Sequence, residues 1–221
     1  ALYRPDIESF PDRTSYLVAD PQRVIYWKEY LRQLPGKVKV GICWRTGILT
    51  GMRKAIHPSI EQWQPLFENK DATFVNLFYD ECAEELNSIK EKFGVTIHTP
   101  LGIDLKNDMD ELAALMVALD LVISVHTSVL ILAGALNDTC TWDLTFRDED
   151  ERFWIHCGEK YNPWSPTIKP IYADGHDSCL QLAAEELKQI TQSTDPVSQL
   201  EQTANVLFAY YIPQESLLEA S

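Results

Sequence analysis

The residues best suited to chemistry lie in the run Val125-His126-Thr127-Ser128, where an apolar stretch gives way to a small-residue segment in helical pattern. Thr127 and Ser128 there open a helix whose first backbone N–H groups have no intrahelical acceptor and whose dipole favours an anion, so a phosphate is the natural guest. A helix-capping role for Thr127 or Ser128 is the other reading. Three further clusters follow apolar runs in the same way: Trp44-Arg45-Thr46, Tyr79-Asp80 and Asp143-Leu144-Thr145. The loop after the first of these carries Arg45, Arg53 and Lys54 beside Gly47 and Gly51, a set able to close on a diphosphate or to stand as a solvated surface loop.

Alternating strands and helices must position these residues. Asp20 is placed to cap a helix that starts at Pro21, and Val24, Ile25, Trp27, Tyr30 and Leu31 form its apolar face. Val38 to Trp44, Thr73 to Phe78, Leu121 to Val125 and Cys140 to Leu144 are predicted as strands, with a short one at Val95 to Ile97 and a last one at Ile168 to Tyr172. Helices are predicted from Ser59 to Phe67, Glu81 to Phe93, Asp108 to Leu119, Ser128 to Leu136 and Asp177 to Ile190. Ala133, Gly134 and Ala135 suit close helix-to-sheet packing. This alternation predicts an α/β fold, a doubly wound parallel sheet of Rossmann-like type with an extra terminal helix. Its ligand would bind outside the carboxyl ends of the strands, where strand order reverses.

Three segments follow: 1–35 as lead-in and linker helix, 36–192 as the Rossmann-like domain, and 193–221 as terminal helix and tail. Within the last, Val197 to Tyr211 gathers Val206, Leu207, Phe208, Tyr210 and Tyr211 into an apolar surface. It would cover another domain or this one.

Composition narrows the partners. Nineteen basic against 33 acidic residues in 221 give a net charge of −14, which disfavours nucleic acid. The apolar runs are too short for a transmembrane segment. Arg4, Asp6 and Glu8 beside Pro5 and Pro11 leave no signal-peptide core, and five scattered cysteines suit free thiols, so a cytoplasmic setting is expected. The five histidines show no metal-ligand spacing, and neither GxGxxG nor a P-loop follows the first strand. No metal and no cofactor are expected.

The ordered blocks GICWRTG, SIEQW, FVNLFYDECAEEL, DLKNDMDELAALMVALDLVISVHTSVLILAGAL and NPWSPTIK resemble the carboxy-terminal half of heptosyltransferase-like glycosyltransferases of the type found behind tetratricopeptide repeats. The resemblance implies a GT-B architecture in which this half binds a nucleotide-sugar donor and needs no metal. It also implies a second Rossmann-like domain, in the same or another chain, that supplies the acceptor's base, and a glycan, lipid or protein acceptor. By resemblance, Trp44, Arg45 and Thr46 face the diphosphate, Arg53 or Lys54 supplies a cation, and His126, Thr127 and Ser128 form the phosphate turn. Asn76 and Tyr79 then lie near the nucleoside, with Asp108 at a helix start beside it. The chain departs from the family pattern at His126, where relatives often carry Asp, and at Ile131, where they carry His. A catalytically degenerate half serving as a binding or scaffold module is therefore the alternative expectation.

Overall fold

The computed structural model describes residues 15–47, 57–136, 138–146, 165 and 167–200. Tyr16 and Leu17 both donate backbone hydrogen bonds to the Ala135 carbonyl, which ties the lead-in to the body of the domain. Helix α1 spans Pro21–Arg32 and starts as read: the Asp20 carboxylate accepts from the Gln22 and Arg23 amides at 2.8 and 3.3 Å, and proline occupies the first turn, where no amide donor is needed.

Strand β1, Val38–Cys43, enters the interior next. A 3-10 turn, Ile60–Trp63, with a Ser59/Gln62 capping box, runs into the short helix α2, Gln64–Phe67. Then follow β2 Ala72–Asn76, α3 Ala83–Phe93, α4 Met109–Ala118, β3 Leu121–Ser124, α5 Ser128–Leu136, β4 Cys140–Phe146, β5 Ile168–Ala173 and α6 His176–Thr191. The five strands are all parallel, in the order β2-β1-β3-β4-β5. One face is covered by α1, α4 and α5 and the other by the 3-10 turn with α2, α3 and α6, as a doubly wound sheet requires.

The helix expected from Ser59 to Phe67 is the 3-10 turn and α2, α3 starts at Ala83 rather than Glu81, and two further departures have local causes. Val95 to Ile97 forms no strand; a single bridge at His98 joins the edge of β2, its amide bound to the Phe74 carbonyl and its carbonyl to the Asn76 amide. The next donor on that side of the chain would be residue 100, a proline without an N–H, so the ladder stops. Strand β2 ends at Asn76 rather than Phe78 because the Asn76 side chain accepts from the Phe78 amide at 2.8 Å and turns the chain. Only residues 196–200 of the expected terminal helix are described, and these are helical; the apolar positions from Val206 to Tyr211 lie outside the described residues.

The core is aromatic-rich: Trp27, Trp44, Trp63, Trp142, Phe67, Phe74 and Phe78 are all buried, each contributing roughly 1.5–3 kcal/mol of hydrophobic stabilisation. Gly134 of α5 allows a close approach, since a Cβ there would lie 2.5 Å from Ser165 Oγ and 2.6 Å from Ile168 Cδ1. Gly134→Val is expected to lower the free energy of unfolding by about 1–3 kcal/mol through overpacking. Urea denaturation measures this, and an unchanged midpoint would contradict the packing described.

Candidate functional site at the carboxyl ends of β1 and β3

In this strand order the chain leaves β1 toward β2 on one side and returns to β3 on the other, so the carboxyl ends of β1 and β3 form the switch point at which open parallel sheets bind their ligands. Both loops carry residues singled out from sequence. Every helix after a parallel strand runs antiparallel to it, so the first turns of α3, α4, α5 and α6 all point to this edge.

Beneath the switch point lies a buried polar row. Cys43 is in register with Ser124, and Ser124 with Asp143, so thiol, hydroxyl and carboxylate share one face of the sheet at its carboxyl edge. The three residues are at most 1% exposed. Thr127 closes the row from above, with Oγ1 at 3.1 Å from Ser124 Oγ and 3.6 Å from Cys43 Sγ. Its backbone carbonyl accepts from the Ile131 amide and begins α5. The Thr127 side chain is thus turned inward, joining the two loops. Ser128 is exposed at the first position of α5, and His126 beside it is half-buried. The turn therefore offers a ligand main-chain donors and the Ser128 hydroxyl.

The loop after β1 is built differently from the sequence reading. Trp44 is fully buried, packs against Phe78 with ring centroids 5.1 Å apart, and donates from Nε1 to Glu85 Oε1 at 3.1 Å. Arg45 lies against Glu85 of α3, with Nε at 3.0 Å from Oε1 and 3.2 Å from Oε2 and with Nη2 also on Oε2. Its Nη2 donates to the Glu81 carbonyl and its Nη1 to the Thr46 carbonyl, while Cζ stands 4.1 Å over the Phe78 ring. Hydrogen bonding to Glu85 raises the Arg45 pKa, with the charges of Glu85, Cys82 and Asp80 adding to it against burial. Thr46 is half-buried, and the Gly47 amide donates to the Tyr79 hydroxyl at 3.3 Å.

The remaining candidates are spread along the same edge. Asn76 is buried and works on its own turn, its amide group reaching Cys82 Sγ and Thr99 Oγ1 as well. Tyr79 flanks the Trp44–Gly47 loop. Asp108 caps α4 by accepting from the Glu111 amide at 3.2 Å, and Arg23 of α1 lies 3.9 Å from it and 3.1 Å from Glu111. The structure thus joins Trp44, Arg45, Thr46 and Tyr79 in one cluster and links Thr127 to the end of β1, while Asp108 is engaged with α1. Arg53 and Lys54 lie outside the described residues. Among the described residues no group of three His, Cys, Asp or Glu is placed to hold a metal ion, and no helix is long and apolar enough to cross a membrane.

Glu85, Cys43 and Ser124 were not anticipated from sequence. Glu85 reads as one more polar position on an amphipathic helix. Its only signal is that it falls in the first turn of the helix that follows the Phe78-Tyr79 run. Complete burial pushes the Cys43 thiol up to about 11 against the hydrogen bonds from Thr127 and Ser124, and burial pushes Cys140 and Cys179 up to about 12. All three are therefore neutral at pH 8 and ill-suited to nucleophilic work. Site-resolved mass spectrometry after maleimide treatment of the native protein at that pH should find them unlabelled; rapid labelling of Cys43 would mean that the loops open.

Two open cavities lie at the opposite edge. One of about 460 Å³ is lined by Asn69, Lys70, Lys188 and Thr191, and one of about 350 Å³ by Gly36, Thr73, Gly94 and His98. Helices α3 and α6 end there, presenting the negative ends of their dipoles, which disfavours an anion.

The chain matches no protein-family model. Over 166 residues it is 39% identical to Protein FlbA of Caulobacter vibrioides, an alignment covering 75% of this chain and 27% of FlbA. The chain thus spans about a quarter of the length of that relative. Its fold is similar to the crystal structure of a glycosyl transferase family 9 protein from Veillonella parvula, with a TM-score of 0.52 at 10% identity over 88% of this chain and 54% of that one. A superposition on the Escherichia coli ADP-heptose LPS heptosyltransferase II gives 0.49 at 14% identity over 92% and 56% of the two chains.

Proposed function

We infer that the chain is one half of a heptosyltransferase-like GT-B glycosyltransferase; its five parallel strands wound on both faces and its fold similarity to a glycosyl transferase family 9 protein support this. From this fold and the switch point between β1 and β3 we propose that it is the donor-binding half of a glycosyltransferase, holding a nucleotide-sugar at the carboxyl edge of the sheet. The observation that carries the reading is the position of the α5 amino end, directly over the β1/β3 switch point.

The diphosphate of the donor sits against the first turn of α5, with Ser128 Oγ and the main chain of residues 128–130 as donors. His126 lies at the rim, and Thr46, Gly47 and Tyr79 face the nucleotide from the other loop. Asn76 and Asp108 stand toward the nucleoside end, and Arg53 or Lys54 supplies the cation. As the bond from sugar to diphosphate breaks, the leaving group gains negative charge, and donors fixed before the reaction stabilise that charge more than they stabilise the bound substrate. The acceptor is a glycan, lipid or protein, and the base that deprotonates it comes from a second Rossmann-like domain, in the same or another chain. No metal and no cofactor enter the scheme. Buried reduced thiols and a nucleotide-sugar supply fit a cytoplasmic setting. Calorimetric titration with ADP, GDP, UDP and their sugar conjugates tests the reading: saturable binding of one of them is expected, and no heat with any would sink it.

A second reading has its own support. Ile131 is 52% exposed on α5, the Thr127 hydroxyl points inward, and Glu85 pairs with Arg45. A binding or scaffold module that holds a nucleotide without turning it over shares all these features. Donor hydrolysis or transfer by the purified chain would remove this reading.

A further inference from the structure

We propose that Arg45 does not touch the donor's diphosphate but acts as a strut, and that Glu85 is the positioning residue that holds it. The inference rests on the donor-binding reading of this edge and assigns roles within it. The guanidinium has five N–H donors in a fixed plane. Nε and Nη2 are spent on the Glu85 carboxylate, Nη2 also on the Glu81 carbonyl, and Nη1 on the Thr46 carbonyl. Only one Nη1 hydrogen is left over, so the fork needed for a bidentate phosphate contact is already occupied.

The side chain is 13% exposed with Cζ over the Phe78 ring, and its partner Glu85 also receives the Trp44 indole N–H. Two neighbouring residues of the loop, Trp44 and Arg45, are therefore fastened to one carboxylate on α3. Glu85, Asp80 and the Glu81 carbonyl offset the Arg45 charge where an anion would have to approach. What the clamp positions is the next pair: Thr46, whose carbonyl Arg45 holds, and Gly47, whose amide rests on the Tyr79 hydroxyl. These two follow directly on the carboxyl end of β1.

The sign of the Glu85→Gln effect decides the matter. For a strut, Glu85→Gln and Arg45→Lys each weaken UDP and ADP binding by about tenfold, because the fork geometry and not the charge is at work, and the double variant is no weaker than either. Affinity for the uncharged nucleosides uridine and adenosine stays within about twofold in all three. If Arg45 instead binds the diphosphate, Glu85→Gln frees a cation and leaves or raises affinity, while Arg45→Lys alone lowers it; that outcome overturns the proposal. Amide hydrogen exchange of the unliganded full chain gives a readout independent of any ligand. Exchange at Thr46 and Gly47 should rise about tenfold or more in both single variants while α5 keeps its protection. Unchanged exchange at these two amides overturns the strut even if nucleotides bind. Absence of nucleotide binding by the wild-type chain, with exchange rising as described, instead removes the donor-binding reading and leaves the clamp standing.

Discussion

Replacing Ser128 with glutamate is expected to abolish most nucleoside diphosphate binding while leaving the domain folded. Ser128 is exposed at the first position of α5, where a carboxylate adds to helix stability by about 0.3–1 kcal/mol through the dipole. The same carboxylate would stand beside the bound diphosphate. Two like charges about 5 Å apart at an effective dielectric constant of about 20 repel by about 3 kcal/mol. Screening at this exposed position reduces the effect to a loss of affinity on the order of 100-fold. Ser128→Gln, equal in size and uncharged, should lose less than about fivefold. Calorimetry with UDP and ADP reads both, and thermal unfolding confirms the fold. Equal affinities for the glutamate and glutamine variants would place the phosphates elsewhere.

Trp44→Ala is expected to have the largest effect on stability. Its indole is fully buried, packs on Phe78 and donates to Glu85. Deleting it opens a large cavity and removes a partner from a half-buried carboxylate, a loss of about 3–5 kcal/mol, against a total that for domains is roughly 5–15 kcal/mol. Trp44→Phe retains most of the packing and loses the hydrogen bond, so about 1–2 kcal/mol is expected. Urea denaturation distinguishes the two. A change below about 1 kcal/mol for the alanine variant would mean that the ring faces the switch point and not the core.

That residue illustrates how far the sequence could be read. Periodicity and caps located most elements because their causes are local: the amide-free proline after Asp20 opens α1, and the unbroken small and apolar run from Ser128 to Leu136 gives α5 the bounds it has. The switch point between β1 and β3 was legible too, since it follows from parallel strands alternating with helices. What was not legible depends on contacts between distant positions. Trp44 adjoins an apolar run and a polar loop equally well in sequence; its burial is decided by Phe78 and Glu85, about 40 positions away. Arg45 looked like a phosphate ligand because cations near glycines often are, and only the approach of α3 shows most of its donors already used. The inward turn of Thr127 likewise follows from the register that sets Cys43 beside Ser124. His98 shows the reverse: Pro100, visible from the start, stops the expected strand at one bridge.

The central claim is that a nucleoside diphosphate binds at the carboxyl edge between β1 and β3. Proton–nitrogen correlation spectra of the full chain, recorded during titration with UDP and ADP, test it residue by residue. The account predicts saturable shifts of the amides of Thr46, Gly47, Ser128 and Val129, with those of Asn69, Lys70, Lys188 and Thr191 at the opposite edge unmoved. Shifts confined to the second set would contradict it.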